Sequence, residues 1–250
     1  MNINSDINIL GGLPDFNLVI QFLNMKQTSS ELDDPYHTYT SIKTDKSVKR
    51  FANAINQTFL KFEKKEVRQL VKSILDTESI SHDSLLTLFW NASINNELLN
   101  YLNDQVYFPS FYSGRLVIKK EEVSACIKEL KETEPAVKVW TTVTIDTVGR
   151  KYLTLLKKFH LMEGSLNKTI IHPYLNDKMF ILFVYWLTAV ESKSNLLESE
   201  WLKYSFCERP VFIERLMQKK FAKYFQLGYT GDKLTIETTL SYSTIYHAIK

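Results

Sequence analysis

Between Trp140 and Pro173 the sequence changes from a helical pattern to a β-prone one within a few residues. Apolar side chains first recur at the spacing of one helix face, at Ile145, Val148, Tyr152, Leu155, Leu156 and Phe159. Glu163-Gly164-Ser165 ends this period, and residues 168–172 are β-prone until Pro173. A helix followed directly by a hairpin is the order of a winged helix-turn-helix, and the segment predicts that arrangement.

The other side of this helix carries hydroxyls and cations, and Thr142 or Thr144 is predicted to cap its start. Such a helix can enter a major groove with its N-terminal residues against base edges, while its cations and the hairpin hold phosphates. The predicted contacts are Thr144, Thr147, Arg150, Lys151, Thr154 and Lys158 along the outer face, with Lys168 on the hairpin. The alternative is a solvated surface helix packed on a hairpin.

Few chain-breaking residues interrupt the rest of the sequence, with seven Gly and six Pro in 250 residues. This scarcity favours long helices and predicts a mostly α protein. We expect a helical N-terminal domain at residues 1–134, then a winged-helix-like C-terminal region at 135–250 that can divide into modules 135–176 and 177–250. The net charge of +3 is too small to indicate a nucleic-acid partner, so the distribution of charge must decide.

Cations concentrate in two further segments. Residues 43–72 hold nine cations against three anions, and a predicted helix at 46–62 presents Lys46, Lys49 and Arg50 on its polar face. The C-terminal part resembles a loose second copy of the helix-and-hairpin unit, with a predicted helix at 210–225 and a strand at 234–238. Arg215, Lys219 and Lys223 would stack at i, i+4 and i+8 on that helix. Both faces are candidates for phosphate contact, and a solvated helix surface is the alternative.

No pattern of a catalytic, metal or cofactor site stands out. Cys126 and Cys207 are isolated, and the five His residues form no HxxxH, HxH or DxH pair. A glycine-rich phosphate loop and a GxSxG motif are both absent. Glu-Lys-Lys-Glu at 63–66 and Lys-Lys-Glu-Glu at 119–122 are interpreted as salt-bridged helix surface. We therefore predict a protein that is not an enzyme and binds no metal or cofactor.

The compartment follows from what the sequence does not contain. The N-terminus has no secretory signal, and the apolar run Met179–Val190 is 12 residues long. A membrane-spanning helix needs about 20 residues, so this run predicts a buried core helix. Isolated cysteines are typical of reduced thiols. A cytoplasmic protein without membrane contact is the expectation.

Part of the sequence resembles the W-x-x-x-T…L…GLL pattern of BrxA proteins. The resemblance is carried by Trp140, Thr144 and a helix that runs through Leu153 and Leu156 to His160-Leu161-Met162. These are small components of BREX (bacteriophage exclusion) defence systems. The early Leu13-Pro14 helix and the Lys43-Thr44…Ser47…Lys49-Arg50 run are also similar. His160 stands where the pattern usually has Gly, which would adopt a left-handed conformation more easily.

The resemblance implies a mostly helical, non-enzymatic protein with winged-helix-like modules, likened to an RNA-binding antitermination factor and able to bind DNA. Its partners would be double-stranded DNA and other BREX components: a methyltransferase, a phosphatase-like protein and an ATPase. An adaptor that binds only proteins is the alternative, with an aromatic interface at Tyr107, Phe108, Phe111 and Tyr112. Salt dependence separates the two, because phosphate binding weakens steeply with added salt.

Overall fold

The protein is mostly α-helical, as predicted. The computed structural model describes residues 3–28, 42, 44–165 and 168–249, and Lys43 lies outside this range. The helices are α1 (Asp6–Leu10), α2 (Asn17–Thr28), α3 (Asp45–Thr58), α4 (Lys65–Leu75), α5 (His82–Asn95), α6 (Glu97–Leu102), α7 (Phe108–Tyr112), α8 (Lys120–Thr133), α9 (Pro135–Lys138), α10 (Thr142–Lys158), α11 (Asp177–Val190), α12 (Arg209–Leu216) and α13 (Ile245–Ala248). A π-helical turn covers Asn103–Tyr107, and 3₁₀ turns cover Leu196–Glu198, Glu200–Ser205 and Lys219–Phe221.

Two antiparallel hairpins complete the described structure. In the first, β1 (Met162–Glu163) pairs with β2 (Thr169–Ile170), and Met162 lies opposite Ile170. In the second, β3 (Phe225–Tyr229) pairs with β4 (Leu234–Thr238), and Phe225 lies opposite Thr238. The segment before α8 pairs with the first hairpin: Val117 forms an antiparallel β-bridge with Thr169, and the Ile170 amide donates to the Leu116 carbonyl at 2.8 Å.

The chain folds in two compact units. The first holds residues 1–61 and 77–172, and the second holds residues 62–76 and 173–250. Helix α4 therefore belongs to the second unit, although the segments that precede and follow it in the sequence belong to the first. The division at residue 134 and the winged-helix assignment stay predictions.

In the first unit α10 packs between α8 and α1. Its predicted apolar stripe is confirmed, since Ile145, Val148, Tyr152, Leu155, Leu156 and Phe159 are all buried. Phe159 meets three buried rings, with centroids 5.5 Å from Phe16, 6.1 Å from Phe59 and 5.4 Å from Phe89. Each such pair contributes about 0.5–1.5 kcal/mol beyond its buried area.

Helix α1 approaches α10 closely because its last residue is followed by Gly11. A Cβ atom at Gly11 would lie 2.6 Å from the carbonyl oxygen of Lys151. Real Cβ atoms do not come this close to backbone, so a glycine is required for the contact. The residues after α1 therefore lie directly over one side of α10.

In the second unit α11 forms the core. The Asn176 side chain accepts the Met179 amide at 2.9 Å and caps the helix, and the residues from Met179 to Leu187 are buried. The predicted core helix is confirmed. Helix α4 packs against α11 and α13 through a buried stripe of Val67, Leu70, Val71 and Ile74.

The predicted helix at 210–225 is wrong beyond Leu216. Gln218 adopts an extended backbone with ψ 131°, a 3₁₀ turn follows, and Phe225 already lies in β3. The turn lets Phe221 pack 5.3 Å from Phe180 and Phe225 pack 5.9 Å from Tyr185. Burial of these two rings outweighs the helical propensity of the segment. As a result, Arg215, Lys219 and Lys223 do not share one helix.

Candidate nucleic-acid interface

The residue that caps α10, Thr141, lies one position before the first predicted cap. The Thr141 hydroxyl accepts the Thr144 amide at 3.2 Å, so the prediction that Thr142 or Thr144 caps the helix is wrong. The hydroxyls of Thr141 and Thr144 lie 3.0 Å apart. Thr144 is half-buried and is engaged in the start of the helix.

One narrow stripe of α10 faces solvent. Val143, Arg150 and Lys157 are exposed on it, and the half-buried Thr147 and Thr154 lie between them at helical spacing. Arg150 is exposed and donates to the Thr147 hydroxyl at 3.3 Å. The Thr154 hydroxyl donates back to the Arg150 carbonyl at 2.8 Å. Arg150, Thr147 and Thr154 therefore lie together, as predicted.

Lys151 and Lys158 do not lie on that stripe. Both are half-buried, and the Lys158 ammonium donates to the carbonyl of Leu13 in the segment after α1. Burial, followed by repulsion from Lys151, lowers the pKa of Lys158. Lys151 and Lys158 therefore lie at the edge of the outer face, against residues 11–13, and their role in nucleic-acid binding stays a prediction.

The hairpin stands beside the C-terminal end of α10. His160 makes the turn in the left-handed conformation with φ 59°, and its ring stacks on His82 with centroids 5.9 Å apart. The Lys157 ammonium donates to the Gly164 carbonyl at 2.8 Å, and the Lys168 ammonium lies 3.5 Å from the Ser165 carbonyl. A left-handed His thus does here what Gly does in the family pattern.

A cleft of about 450 Å³ opens between the exposed stripe of α10, the hairpin and the start of α8. It brings three predicted contacts, Arg150, Thr154 and Lys168, to one place. It also includes Lys119 and Lys120, which the sequence indicated only as salt-bridged surface, and one carboxylate, Glu121. Lys157 was missed too, although its i+7 spacing from Arg150 was visible in the sequence.

The family model named BrxA matches residues 13–183, more than half of the chain. The chain belongs to the BrxA family. Membership makes it a component of a BREX phage-defence system. No curated protein and no solved structure matches the chain.

A second basic surface of this BrxA-family chain lies on α3. Lys46, Lys49 and Arg50 are exposed, as predicted, and Thr44 caps the helix by accepting the Ser47 amide at 3.3 Å. The helix ends at Thr58 rather than at residue 62. None of these three cations lines the cleft beside α10, so α3 provides a separate candidate surface in the same unit.

In the second unit the predicted cations are divided. Arg215 has only 11% of its side chain exposed; it pairs with Asp177 at 3.2 Å and lies 4.3 Å from the Phe180 ring centre. Lys219 and Lys223 are exposed, and the Lys223 ammonium lies 4.8 Å from the Tyr224 ring centre. Arg215 is thus already neutralised by a carboxylate and packed between rings, while the two lysines face solvent.

Other chemistry finds little support in the described part of this BrxA-family chain. Within residues 3–28, 42, 44–165 and 168–249, no His, Cys, Asp and Glu cluster could hold a metal ion. Burial raises the pKa of the Cys126 and Cys207 thiols, which keeps both in the less reactive protonated form. Across the same residues, every helix is too short or too polar to cross a bilayer.

Proposed function

We propose that this BrxA-family protein is a non-enzymatic, double-stranded-DNA-binding subunit of its BREX system. The observation that carries the proposal is the cationic cleft beside α10, where Arg150 and Lys168 from two different elements face the same space. DNA presents one negative charge per about 1.7 Å of helix axis, so clustered cations of this kind gain affinity by releasing counterions. Cations with which no described carboxylate pairs, such as Arg150 and Lys168, suit such a partner.

The geometry favours contact with the backbone over base reading. Among the described residues, no carboxylate forms an ion pair with Arg150, Lys157 or Lys168. Around them the exposed stripe offers two threonines and Val143, which provide few donors for bidentate base contacts. Phosphate contacts position a protein on the duplex without carrying sequence information. We therefore expect binding with little sequence preference.

The remaining predicted contacts are competing candidates for the DNA site. They are Lys46, Lys49 and Arg50 on α3 in the first unit, and Lys219 and Lys223 in the second. Two buried or half-buried cysteines without a disulfide suit the reducing cytoplasm, where the protein would meet phage DNA and the methyltransferase, phosphatase-like and ATPase components.

A protein-binding adaptor is the second candidate. Its predicted aromatic interface is wrong, because Tyr107, Phe108 and Phe111 are buried, but another observation favours it. At the corner between α9 and α10, the side chains of Val139 and Val143 are 83% and 76% exposed. Adjacent exposed apolar side chains are typical of protein-binding surfaces. In this alternative the basic faces would meet acidic partners, and duplex binding would be weak or absent.

Anisotropy titrations of labelled duplex DNA and duplex RNA at two salt concentrations test the proposal. The variant Arg150→Glu with Lys157→Glu should abolish most duplex binding, while unfolding should show a stability change within about 0.5 kcal/mol because both side chains are exposed. Lys49→Glu with Arg50→Glu on α3 is the matched control, and Lys219→Glu with Lys223→Glu is its counterpart in the second unit. The same number of charges is reversed in each.

The three variants separate the explanations. Loss of binding only in the α3 variant, or only in the second-unit variant, would move the DNA site there. Normal binding by all three, or no duplex binding by the folded wild type at low salt, would refute DNA binding and leave the adaptor function. Tighter binding of duplex RNA than of DNA would point to the antitermination-like alternative.

A further inference from the structure

We infer that the cleft beside α10 is a phosphate site in which Lys119 and Lys120, at the start of α8, hold one backbone phosphate of the bound nucleic acid. The inference rests on the proposed DNA-binding function and adds to it two residues from an element outside the helix and hairpin. Arg150 and Lys168 would reach the same phosphate or the next one along the strand.

Lys119 and Lys120 line the cleft, and the Glu122 carboxylate next to them is engaged elsewhere. Glu122 pairs with Arg115 at 2.6 Å and also accepts the Lys119 backbone amide at 3.3 Å. Lys120 has only long contacts with carboxylates, 3.6 Å to Glu121 and 3.9 Å to Asp146. Asp146 in turn accepts the Ser124 hydroxyl at 2.9 Å. Lys120 is thus paired at long distance with Glu121 and Asp146, while no carboxylate among the described residues pairs with Lys119.

The charge inside the cleft is unbalanced. Four cations line it, Lys119, Lys120, Arg150 and Lys168, against the single carboxylate of Glu121. Burial, followed by repulsion from Lys157, lowers the pKa of Lys168. Like charges held together in a partly desolvated space destabilise one another, and a bound anion removes this repulsion. The cleft is thus arranged for an anion and against a cation.

The size of the cleft selects what can enter it. A volume of about 450 Å³ is that of a small-molecule pocket and is far too small for a duplex. A phosphodiester group projecting from a strand, with the edges of its two sugars, has suitable dimensions. The Ser165 hydroxyl lines the same space and can donate to a remaining phosphate oxygen.

The test is the salt dependence of duplex binding by full-length variants. Lys119→Ala with Lys120→Ala should reduce the slope of log K against log salt by about 0.9 for each phosphate that is no longer neutralised, which is roughly an eightfold weakening of affinity at 0.1 M salt. Lys128→Ala, an exposed lysine further along α8, is the matched control and should leave the slope unchanged. Lys119→Ala alone, which leaves the Lys120 side chain in place, should give part of the effect.

Inorganic phosphate, added at constant ionic strength against chloride, separates a backbone phosphate from a free one. It should weaken duplex binding by the wild type and have less effect on the double variant. A folded double variant with the wild-type slope overturns the inference and leaves DNA binding standing. Phosphate binding that depends on the two lysines, with equal duplex binding by both proteins, assigns the cleft to free phosphate and also overturns it. No duplex binding by the wild type refutes the proposed function itself.

Discussion

The two helix-and-hairpin segments share an order of elements and differ in what surrounds their cations. Beside α10, Arg150 and Lys168 face an open cleft, and no carboxylate among the described residues pairs with them. In the second unit Asp177, at the start of α11, pairs with Arg215 at 3.2 Å and with Lys220 at 2.6 Å. One well-placed carboxylate turns a basic face into a structural ion pair. Whether a basic face is available to bind a nucleic acid thus depends on where the carboxylate side chains lie. The order of helices and strands does not reveal their positions.

The largest effect should come from a glycine that fits α1 onto α10. In Gly11→Ala the new Cβ would lie 2.6 Å from the Lys151 carbonyl, so two backbones must separate, at a cost of about 2–3 kcal/mol. The counterpart in the second unit is Gly228→Ala, whose Cβ would meet only the Thr235 hydroxyl, at 2.5 Å. That hydroxyl can rotate away, so we expect a change below about 1 kcal/mol. Urea unfolding of both variants measures the difference, and equal destabilisation would show that α1 can shift freely.

A smaller effect separates the two arginines. Arg215→Ala removes a nearly buried side chain from the Phe180 ring and from Asp177, and should destabilise the protein by about 1–2 kcal/mol. Arg150→Ala, at an exposed position, should change stability by less than about 0.5 kcal/mol and should weaken duplex binding. Thermal unfolding and anisotropy on the same samples give both readouts. If Arg150→Ala instead destabilised the protein and Arg215→Ala weakened duplex binding, the roles assigned to the two arginines would be wrong.

The smallest effect on stability should come from the Asp177 carboxylate, and it should depend on pH. The Lys220 hydrogen bond first, and then Arg215, hold the pKa of Asp177 below its ordinary value of 3.8. Because the folded pKa is the lower one, the carboxylate stabilises the folded protein above pH 3.8, and this contribution is lost as the pH falls through the folded pKa. Asp177 is exposed, so Asp177→Asn should cost less than about 1 kcal/mol at about pH 7.

Unfolding free energies measured from about pH 7 to about pH 2.5 provide the check. The stability difference between wild type and Asp177→Asn should shrink on acidification, whereas a parallel pair of curves would show that the carboxylate contributes no charge pairing. Asp146→Asn is a matched control on α10, since its carboxylate accepts a serine hydroxyl and lies 3.9 Å from Lys120.

The periodicity of apolar residues predicted the buried faces of single helices correctly. The apolar stripe of α10 and the core helix α11 could be predicted because a helix that buries one face must place apolar residues at helical spacing. The same spacing could not show that residues 11–13 cover Lys151 and Lys158, because that contact joins segments far apart in the chain. The 3₁₀ turn before β3 was missed for a similar reason, since Phe221 and Phe225 pack on α11.

Only some of the residues that line the cleft could be predicted from the sequence. Arg150, Thr154 and Lys168 follow from one helix pattern and its neighbouring hairpin. Lys119 and Lys120 could not be assigned, because only the fold shows that Glu122 turns to Arg115 and that the start of α8 borders the hairpin. Charged residues at adjacent positions are usually solvated surface. Their role here depends on the direction of each side chain.

Helix α4 is synthesised well before the helix against which it packs. It leaves the ribosome about a hundred residues before α11, the helix that covers its apolar stripe. At roughly 5–20 residues per second, translation leaves Val67, Leu70 and Val71 without their final neighbours for some 5–20 seconds. During that interval the nascent chain carries an unburied apolar segment while residues 77–172 of the first unit are being synthesised. A substitution that weakens the contact of α4 with α11 would therefore reduce the yield of folded protein in the cell more than its effect on equilibrium stability suggests.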